Sequence, residues 1–159
     1  MQHIDSLSSN IIASYPHYHF AQSDDFKWSP DVVTIYHAPL TTHEAIWSLL
    51  HEIAHAELAH ATYTLDVELV QREVAAWEYA RTALALQHNL TIDPDYIEDH
   101  INTYRVWLHA RSTCPDCSQN GLQTKNTYSC INCRCVWQAN EAKICALRRV
   151  RLPSRSLTS

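Results

Sequence analysis

One stretch of ten residues, HEIAHAELAH at positions 51–60, restricts what this chain can fold into more than any other part of the sequence. On an α-helix each residue advances about 100°, so His55 lies about 40° from His51 and points the same way one turn later. His60 lies about 180° from His51 and points to the opposite side of an unbroken helix. A helix at this point therefore allows His51 and His55 to bind one metal ion and excludes His60.

The residue after the first histidine adds a catalytic group to this pair. Glu52 makes the stretch an HExxH arrangement, in which a carboxylate can take a proton from water bound to the metal. The neighbouring sequence supports a helix here, because Thr41 with Glu44 forms a capping box that would start it. Residues 31–38, just before this capping box, are typical of a β-strand. We therefore interpret the stretch as the zinc site of a hydrolase rather than as a chance match on a histidine-rich surface helix.

A hydrolytic zinc site needs a third protein ligand and one open position. The next helix, predicted over residues 65–87, offers three glutamates, Glu68, Glu73 and Glu78. Helical phase places Glu73 inside the apolar stripe of that helix, Glu78 at its edge and Glu68 toward water. Because a carboxylate in a core-facing stripe is costly unless it is paired or bound to metal, Glu73 is the expected ligand. The alternative is that Glu73 pairs with an arginine or caps a buried hydrogen bond. The stripe consists of Leu69, Val70, Val74, Trp77, Ala80 and Leu84.

These two helices resemble those of the ImmA/IrrE-type metallopeptidases, which are small gluzincins. The resemblance rests on HEIAH at residues 51–55 and EVAAW at residues 73–77, and it covers residues 24–86. It implies a zincin-like domain that cleaves a specific regulatory protein, typically a DNA-binding repressor. In that family pattern the zinc ligands and the general base would be His51, His55 and Glu73, with Glu52 as the base.

Two further features belong to the comparison with that family. Val74 replaces the usual alanine, and the interval from His55 to Glu73 is short, so this chain departs from the family pattern at two points. Tyr36 and His37 would lie on an edge strand, to which an extended peptide substrate could pair.

The cysteines predict a second metal site. All six lie at or beyond residue 114, and four of them form two CxxC pairs separated by twelve residues: Cys114, Cys117, Cys130 and Cys133. Two such pairs joined by a hairpin, with Asn120-Gly121 as the turn, predict a zinc ribbon whose closed tetrahedral site is structural. Cys135 could replace Cys133 as a ligand, and Cys145 is left without a role. Ordinary thiols or a redox pair are the alternative, which two separated pairs disfavour.

A ribbon after an HExxH domain also resembles the SprT family, whose members act near DNA. That family has a third histidine downstream in an H-G-x-x-W context, and no such sequence occurs here. A metzincin is excluded because His60 follows His55 by five residues rather than six and no glycine lies nearby. The SprT-like interpretation is therefore the second one.

Charge divides the chain into an acidic and a basic part. Residues 1–100 carry three Lys or Arg and fifteen Asp or Glu, for a net charge of −12, whereas residues 101–159 carry nine and two, for a net charge of +7. The basic part is a candidate for contact with nucleic acid. The alternative is that it docks on the acidic part of the same chain.

The predicted architecture is α+β. A small zincin-like domain with a short β-sheet, the HExxH helix and following helices is expected over residues 1–110. A zinc ribbon over residues 111–140 and a basic tail over residues 141–159 follow. Short strands and turns are expected over residues 10–30, and Asp93-Pro94 predicts the start of a third helix. The first residues lack the basic and apolar regions of a secretory signal and no run is long enough for a membrane span, so we expect a cytoplasmic protein.

Two hypotheses of different classes follow. In the first, the chain is a zinc endopeptidase with one catalytic and one structural Zn2+ ion, and its ribbon recruits a protein substrate or DNA. In the second, it is an adaptor that binds nucleic acid or protein and catalyses nothing. Glu52 favours the enzyme, because a binding module needs no base beside the metal. The group that stabilises the oxyanion is open among Tyr63, Tyr79 and His60.

Overall fold

The computed structural model describes residues 2–140 and 147–153, with side chains described from residue 4 onward. The chain is α+β and forms two compact units, Met1–Thr62 with Arg72–Ile97 and Tyr63–Gln71 with Glu98–Ser159. Each unit is assembled from segments that are not adjacent in sequence. The domain boundaries expected at residues 110 and 140 stay predictions. Within the described ranges, no helix is both long enough and apolar enough to cross a membrane.

The helices are separated by short connections, and three strands lie between the first two helices. The helical elements are α1 (Gln2–Ala13), a 3-10 turn (Pro30–Val32), α2 (His43–Glu57), α3 (Asp66–Tyr79), a π-helical segment (Ala80–Leu84), α4 (Ala85–Gln87) and α5 (Pro94–Ser112). Helix α5 begins at the predicted Asp93-Pro94 position. Helix α1 extends to Ala13, with Ile11 on its buried face, so the expectation of short strands and turns over residues 10–30 was wrong for residues 10–13. Short strands do occur in the rest of that range, at His19–Gln22 and Lys27–Ser29.

The first unit contains a three-stranded sheet. Its strands are β1 (His19–Gln22), β2 (Lys27–Ser29) and β3 (Thr34–His37), in the order β1-β3-β2, with β1 parallel and β2 antiparallel to β3. The expectation that Tyr36 and His37 lie on an edge strand was wrong, because β3 is hydrogen-bonded on both sides. The edge strands of this sheet are β1 and β2.

Helix α2 carries the HExxH residues and packs against β2, β3 and the π-helical segment. Its N-cap is Thr42, whose hydroxyl accepts a hydrogen bond from the Ala45 N–H at 3.2 Å. The expected cap at Thr41 was therefore one residue early. The buried side of the helix includes Ile46, Leu49, Leu50 and Ile53, each fully enclosed, so the helix is held with a defined rotation about its axis.

The helical run that follows agrees with the predicted span over residues 65–87 but contains a change of winding at Ala80–Leu84. A π-helical turn has i→i+5 hydrogen bonds, holds about one residue more than an α-helical turn, and is frequent at functional sites. Trp77, Ala80 and Leu84 are buried as expected, whereas Val74 is 40% exposed and does not belong to the buried stripe. The buried side of α3 is centred on Ala76 and Trp77 instead.

The second unit contains a four-stranded antiparallel sheet. Its strands, in the order β4-β5-β6-β7, are β4 (Leu122–Thr124), β5 (Thr127–Ser129), β6 (Val136–Ala139) and β7 (Arg149–Arg151). The hairpin turn joining β4 to β5 is Lys125-Asn126, not Asn120-Gly121 as the sequence suggested. The left-handed conformation that the turn requires is adopted by Lys125, at φ 55°.

The single glycine has a packing role instead. A Cβ atom at Gly121 would lie 2.3 Å from Cη2 of Trp137 and 3.0 Å from the carbonyl oxygen of Ser129. The fully buried Trp137 therefore packs directly against the backbone at this residue, which only glycine permits.

Part of the expected basic tail is an element of the ribbon sheet. Strand β7 pairs with β6, the Arg149 guanidinium donates to the Thr113 carbonyl oxygen, and Arg151 forms an ion pair with Asp116. These contacts hold the segment on the ribbon itself. The rest of the tail, including Arg155, and the unassigned Cys145 lie outside the described residues.

Candidate metal centres

Three predicted ligands meet inside the first unit. The Nε2 atoms of His51 and His55 lie 3.0 Å apart, and the Glu73 carboxylate lies 3.1 Å from His51 Nε2 and 3.4 Å from His55 Nε2. All three side chains are buried, with residue exposures of 7%, 9% and 5%. Two imidazole nitrogens and one carboxylate converge on a common point, as a metal site requires.

This donor set fits zinc. For zinc bonds of 2.0–2.1 Å in a tetrahedral site, neighbouring ligand atoms lie about 3.3 Å apart, which is close to the separations between these three residues. Three protein ligands leave a fourth position for water or substrate, whereas a structural site would fill it. The residues present can therefore hold a zinc ion with one exchangeable position.

The predicted choice among the three glutamates agrees with what the structure brings together. Glu73 belongs to the cluster, whereas Glu78 is exposed and forms an ion pair with Arg81. The backbone amide of Thr64 donates to the Glu68 carboxylate, so Glu68 is engaged at the start of α3. The alternative of an arginine partner for Glu73 finds no support, because both groups near its carboxylate are histidines.

The electrostatics of the cluster favour an ionised carboxylate. Burial by itself raises the pKa of Glu73, but hydrogen bonds to His51 and His55 outweigh burial and lower the pKa to about 2. The ring of Trp77 stacks on His51 with centroids 4.1 Å apart and an interplanar angle of 18°. This contact restricts rotation of the His51 imidazole.

The predicted general base lies on the same helix and contacts the sheet. Glu52 Oε2 accepts a hydrogen bond from the backbone N–H of Trp28 on β2 at 2.7 Å. Burial raises the pKa of Glu52 to about 7, although His55 and the Trp28 N–H act in the opposite direction. Edge strand β2 therefore orients the carboxylate and leaves its second oxygen for another partner.

His60 lies at a position that its helical phase does not predict. Helix α2 ends at Glu57, and Ala59 adopts φ 52°, which turns the chain back toward the helix. The Nδ1 atoms of His60 and His55 consequently lie 2.8 Å apart. His60 is not part of the ligand cluster, as predicted, but it lies behind His55 rather than on the opposite side of the helix. It therefore does not face the metal-binding atoms and is no longer a candidate for oxyanion stabilisation.

A second cluster consists of the four cysteines of the two CxxC pairs. The Sγ atoms of Cys114 and Cys133 lie 3.5 Å apart, and those of Cys117 and Cys130 lie 3.4 Å apart. With zinc–sulfur bonds of 2.3 Å, a tetrahedral site separates its sulfur atoms by about 3.8 Å. Four thiolates fill all positions of such a site, so this cluster suits a structural zinc.

The two CxxC pairs have the same backbone arrangement. The N–H of Ser118 donates to Cys114 O at 3.1 Å, and the N–H of Arg134 donates to Cys130 O at 2.9 Å. The residue after each second cysteine is left-handed, with φ 62° at Ser118 and φ 63° at Arg134. Cys135 is buried in the ribbon core and is not among the four clustered sulfurs, so Cys133 rather than Cys135 belongs to the candidate metal cluster.

A buried ion pair that no sequence pattern predicts lies next to the ribbon core. In the second unit, Arg111 Nε donates to Asp66 Oδ2 at 2.6 Å, and the Tyr128 hydroxyl donates to the same oxygen at 2.6 Å. Burial, followed by the hydrogen bond to Asp66, raises the pKa of Tyr128. Asp66 and Arg111 are 45 residues apart in sequence, and no local pattern indicates that they meet.

Comparison with known proteins does not assign the chain to a family. No family model, no curated protein and no solved structure matches it. The chemistry open to this chain follows from the side chains of the two clusters themselves.

Proposed function

We propose that this chain is a zinc-dependent endopeptidase with a zincin-like catalytic domain of the ImmA/IrrE type. The observation that carries the proposal is the convergence of His51, His55 and Glu73, with Glu52 next to the first ligand. A purely structural zinc would have four protein ligands and no need for an adjacent base.

The chain's own residues would divide the reaction among them. His51, His55 and Glu73 would hold a zinc ion, which supplies Lewis-acid chemistry toward a peptide carbonyl when bound. Glu52 would take a proton from the attacking water and deliver it to the leaving amine. The hydrogen bond from Trp28 N–H holds one oxygen of Glu52, so the other oxygen is the one that would handle the proton.

The substrate class follows from the resemblance. A specific regulatory protein, of the DNA-binding repressor kind, is the proposed substrate, and the cytoplasm is the proposed compartment. The Cys114, Cys117, Cys130 and Cys133 cluster would bind a second, structural zinc ion and stabilise a ribbon that recruits the substrate.

The proposal is tested by metal content and by cleavage. Purified protein should contain two zinc ions per chain, and Glu52→Gln should keep both while losing proteolysis. New protein N-termini would be labelled in a lysate of the producing cells after incubation with each variant. Glu78→Gln, an exposed glutamate on α3, is the matched control and should cleave like wild type. The proposal fails if the two-zinc wild type produces no new N-termini, or if Glu52→Gln produces the same ones.

Contact with nucleic acid is a second candidate function, either as a DNA-associated protease or as a non-catalytic adaptor. The observation in its favour is that Lys125, Arg134 and Arg148 are exposed in the second unit, and no described acidic group forms an ion pair with them. Such side chains can contact phosphates without rearrangement.

A further inference from the structure

The second metal-binding histidine contacts another histidine on its far side. His55 directs Nε2 toward His51 and Glu73, while its other ring nitrogen, Nδ1, lies 2.8 Å from Nδ1 of His60. The two rings are tilted by 64° with centroids 5.0 Å apart, so they meet nitrogen to nitrogen rather than by stacking. His60 therefore contacts Nδ1 of His55, the ring nitrogen that must carry the proton if Nε2 is to bind a metal.

A hydrogen bond between two neutral imidazoles contains a single proton, which leaves two possible arrangements. If His55 Nδ1–H donates to His60 Nδ1, then His55 Nε2 has a free lone pair facing the ligand cluster. If His60 Nδ1–H donates instead, His55 carries its proton on Nε2 and cannot bind a metal through that atom. Metal binding at Nε2 therefore requires His60 to act as the acceptor.

The segment that carries His60 is held in place by contacts on several sides. The His60 N–H donates to His55 O at 2.9 Å, and the left-handed Ala59 permits this reversal of the chain. Trp28 Nε1 donates to His60 O at 3.0 Å, and Arg72 Nη1 donates to Ala61 O at 2.9 Å. These bonds keep the acceptor nitrogen at one position relative to His55.

We infer that His60 is a positioning residue, which accepts the Nδ1 proton of His55 and so holds that ligand in its metal-binding tautomer and orientation. The inference rests on the zinc site of the proposed function and adds a residue to it. Partners of this kind, which orient a metal ligand from behind, typically change metal affinity 10–100-fold when they are removed.

Two substitutions separate the acceptor from the rest of the side chain. His60→Ala removes the acceptor and should weaken zinc binding at the His51, His55 and Glu73 site about 10–100-fold. His60→Asn places an amide oxygen where Nδ1 stood and should retain most of the affinity. His43→Ala, at an exposed position in the first turn of α2, is the control and should leave the affinity unchanged.

The measurement is a zinc titration of the full chain against a chromophoric chelator, with the four-cysteine site already loaded. In parallel, long-range 1H–15N spectra of histidine-labelled, zinc-loaded protein should find the His55 proton on Nδ1 in wild type and in His60→Asn. Thermal unfolding of the metal-free variants checks that all of them fold.

The outcomes distinguish this inference from the proposed function. If wild type binds zinc only at the cysteines, both fail. If wild type binds two zinc ions and His60→Ala binds the second as tightly, only the positioning role fails. Equal losses in His60→Ala and His60→Asn, or a His55 proton on Nε2 in the loaded protein, would also overturn it.

Discussion

A single buried carboxylate illustrates how residue-scale chemistry defines the cluster of His51, His55 and Glu73. Glu73 is 5% exposed, and two histidines within 3.4 Å compensate for its burial. A carboxylate enclosed to this degree would be strongly destabilising without such partners. Its burial is therefore explained by its contacts with His51 and His55.

Removing this carboxylate should affect one metal site selectively. We expect Glu73→Ala to reduce zinc from two ions to one per chain, because two histidines alone leave the site one ligand short. Glu78→Ala, five residues later and exposed, should retain both ions. Metal analysis after gel filtration provides the count. A normal zinc content in Glu73→Ala combined with a loss in Glu78→Ala would mean that the wrong glutamate has been assigned.

The left-handed residue after α2 allows a second test at this scale. Ala59 at φ 52° adopts a conformation that costs about 1 kcal/mol in a residue with a Cβ atom. Ala59→Gly should therefore raise the free energy of unfolding by about 0.5–1 kcal/mol. The same change at Ala56, inside the helix and 6% exposed, should lower it by about 1 kcal/mol. Urea unfolding gives both values, and equal signs for the two variants would contradict the assigned end of α2.

At the scale of elements, the ribbon is built from two equivalent turns and a short sheet. The two CxxC turns have equivalent hydrogen bonds and a left-handed residue at the equivalent position. Tyr128 on β5 and Trp137 on β6 are both buried, and their rings stack with centroids 5.5 Å apart. The buried pair of Asp66 and Arg111 lies beside this core. It ties the first turn of α3 to the end of α5 within the second unit.

Breaking that pair should cost much more stability than breaking an exposed one. Asp66→Ala removes the carboxylate that compensates the buried Arg111 charge, and breaking a buried ion pair in this way typically costs 3–5 kcal/mol. Tyr128→Phe removes one hydrogen bond to a charged group and should cost about 1.5–3 kcal/mol. Arg81→Ala, which breaks the exposed pair with Glu78, should cost at most about 1 kcal/mol. Chemical denaturation of the zinc-loaded proteins tests this order, and similar losses for Asp66→Ala and Arg81→Ala would contradict it.

At the scale of the whole molecule, the uneven charge of the chain raises the question of a polyanionic partner. Strand β7 shows that Arg149 and Arg151 are engaged by the ribbon, the first with Thr113 and the second with Asp116. Asp116 compensates the charge of Arg151, whereas the Thr113 carbonyl oxygen accepts a hydrogen bond from Arg149 but carries no opposite charge. Among the described residues of the second unit, Lys125, Arg134 and Arg148 are exposed and form no ion pair with a described acidic group.

We expect weak binding of labelled DNA and RNA that decreases steeply between low and moderate salt. Arg134→Glu with Arg148→Glu should abolish it, whereas Arg81→Glu in the first unit should not. These substitutions are preferable to deletion of residues 146–159, because the deletion also removes strand β7. Fluorescence anisotropy at two salt concentrations measures the binding. An absence of binding by the full chain at low salt would reject the nucleic-acid role.

The local pattern alone was enough to predict several features. The spacing of His51 and His55 dictates that both point to one side of a helix, and the buried phase of Glu73 follows from the same 3.6-residue period. Within each CxxC pair, the geometry of a tight turn likewise places the two cysteines close to each other. These features depend on residues close together in sequence, so their relative positions follow from the conformation of a single element.

Other features depended on where the chain turns and what it meets afterwards. The early end of α2 brings His60 behind His55, the sheet order makes β3 a central strand, and the Asp66–Arg111 pair joins residues far apart in sequence. The 3.6-residue pattern does not show where a helix ends when an alanine, instead of the usual glycine, adopts the left-handed conformation after its last turn. The sequence by itself determined which residues could bind metal, because ligand spacing is a property of one helix or one turn. Only the tertiary structure decided which groups support those ligands, because such contacts depend on long-range packing that no local pattern encodes.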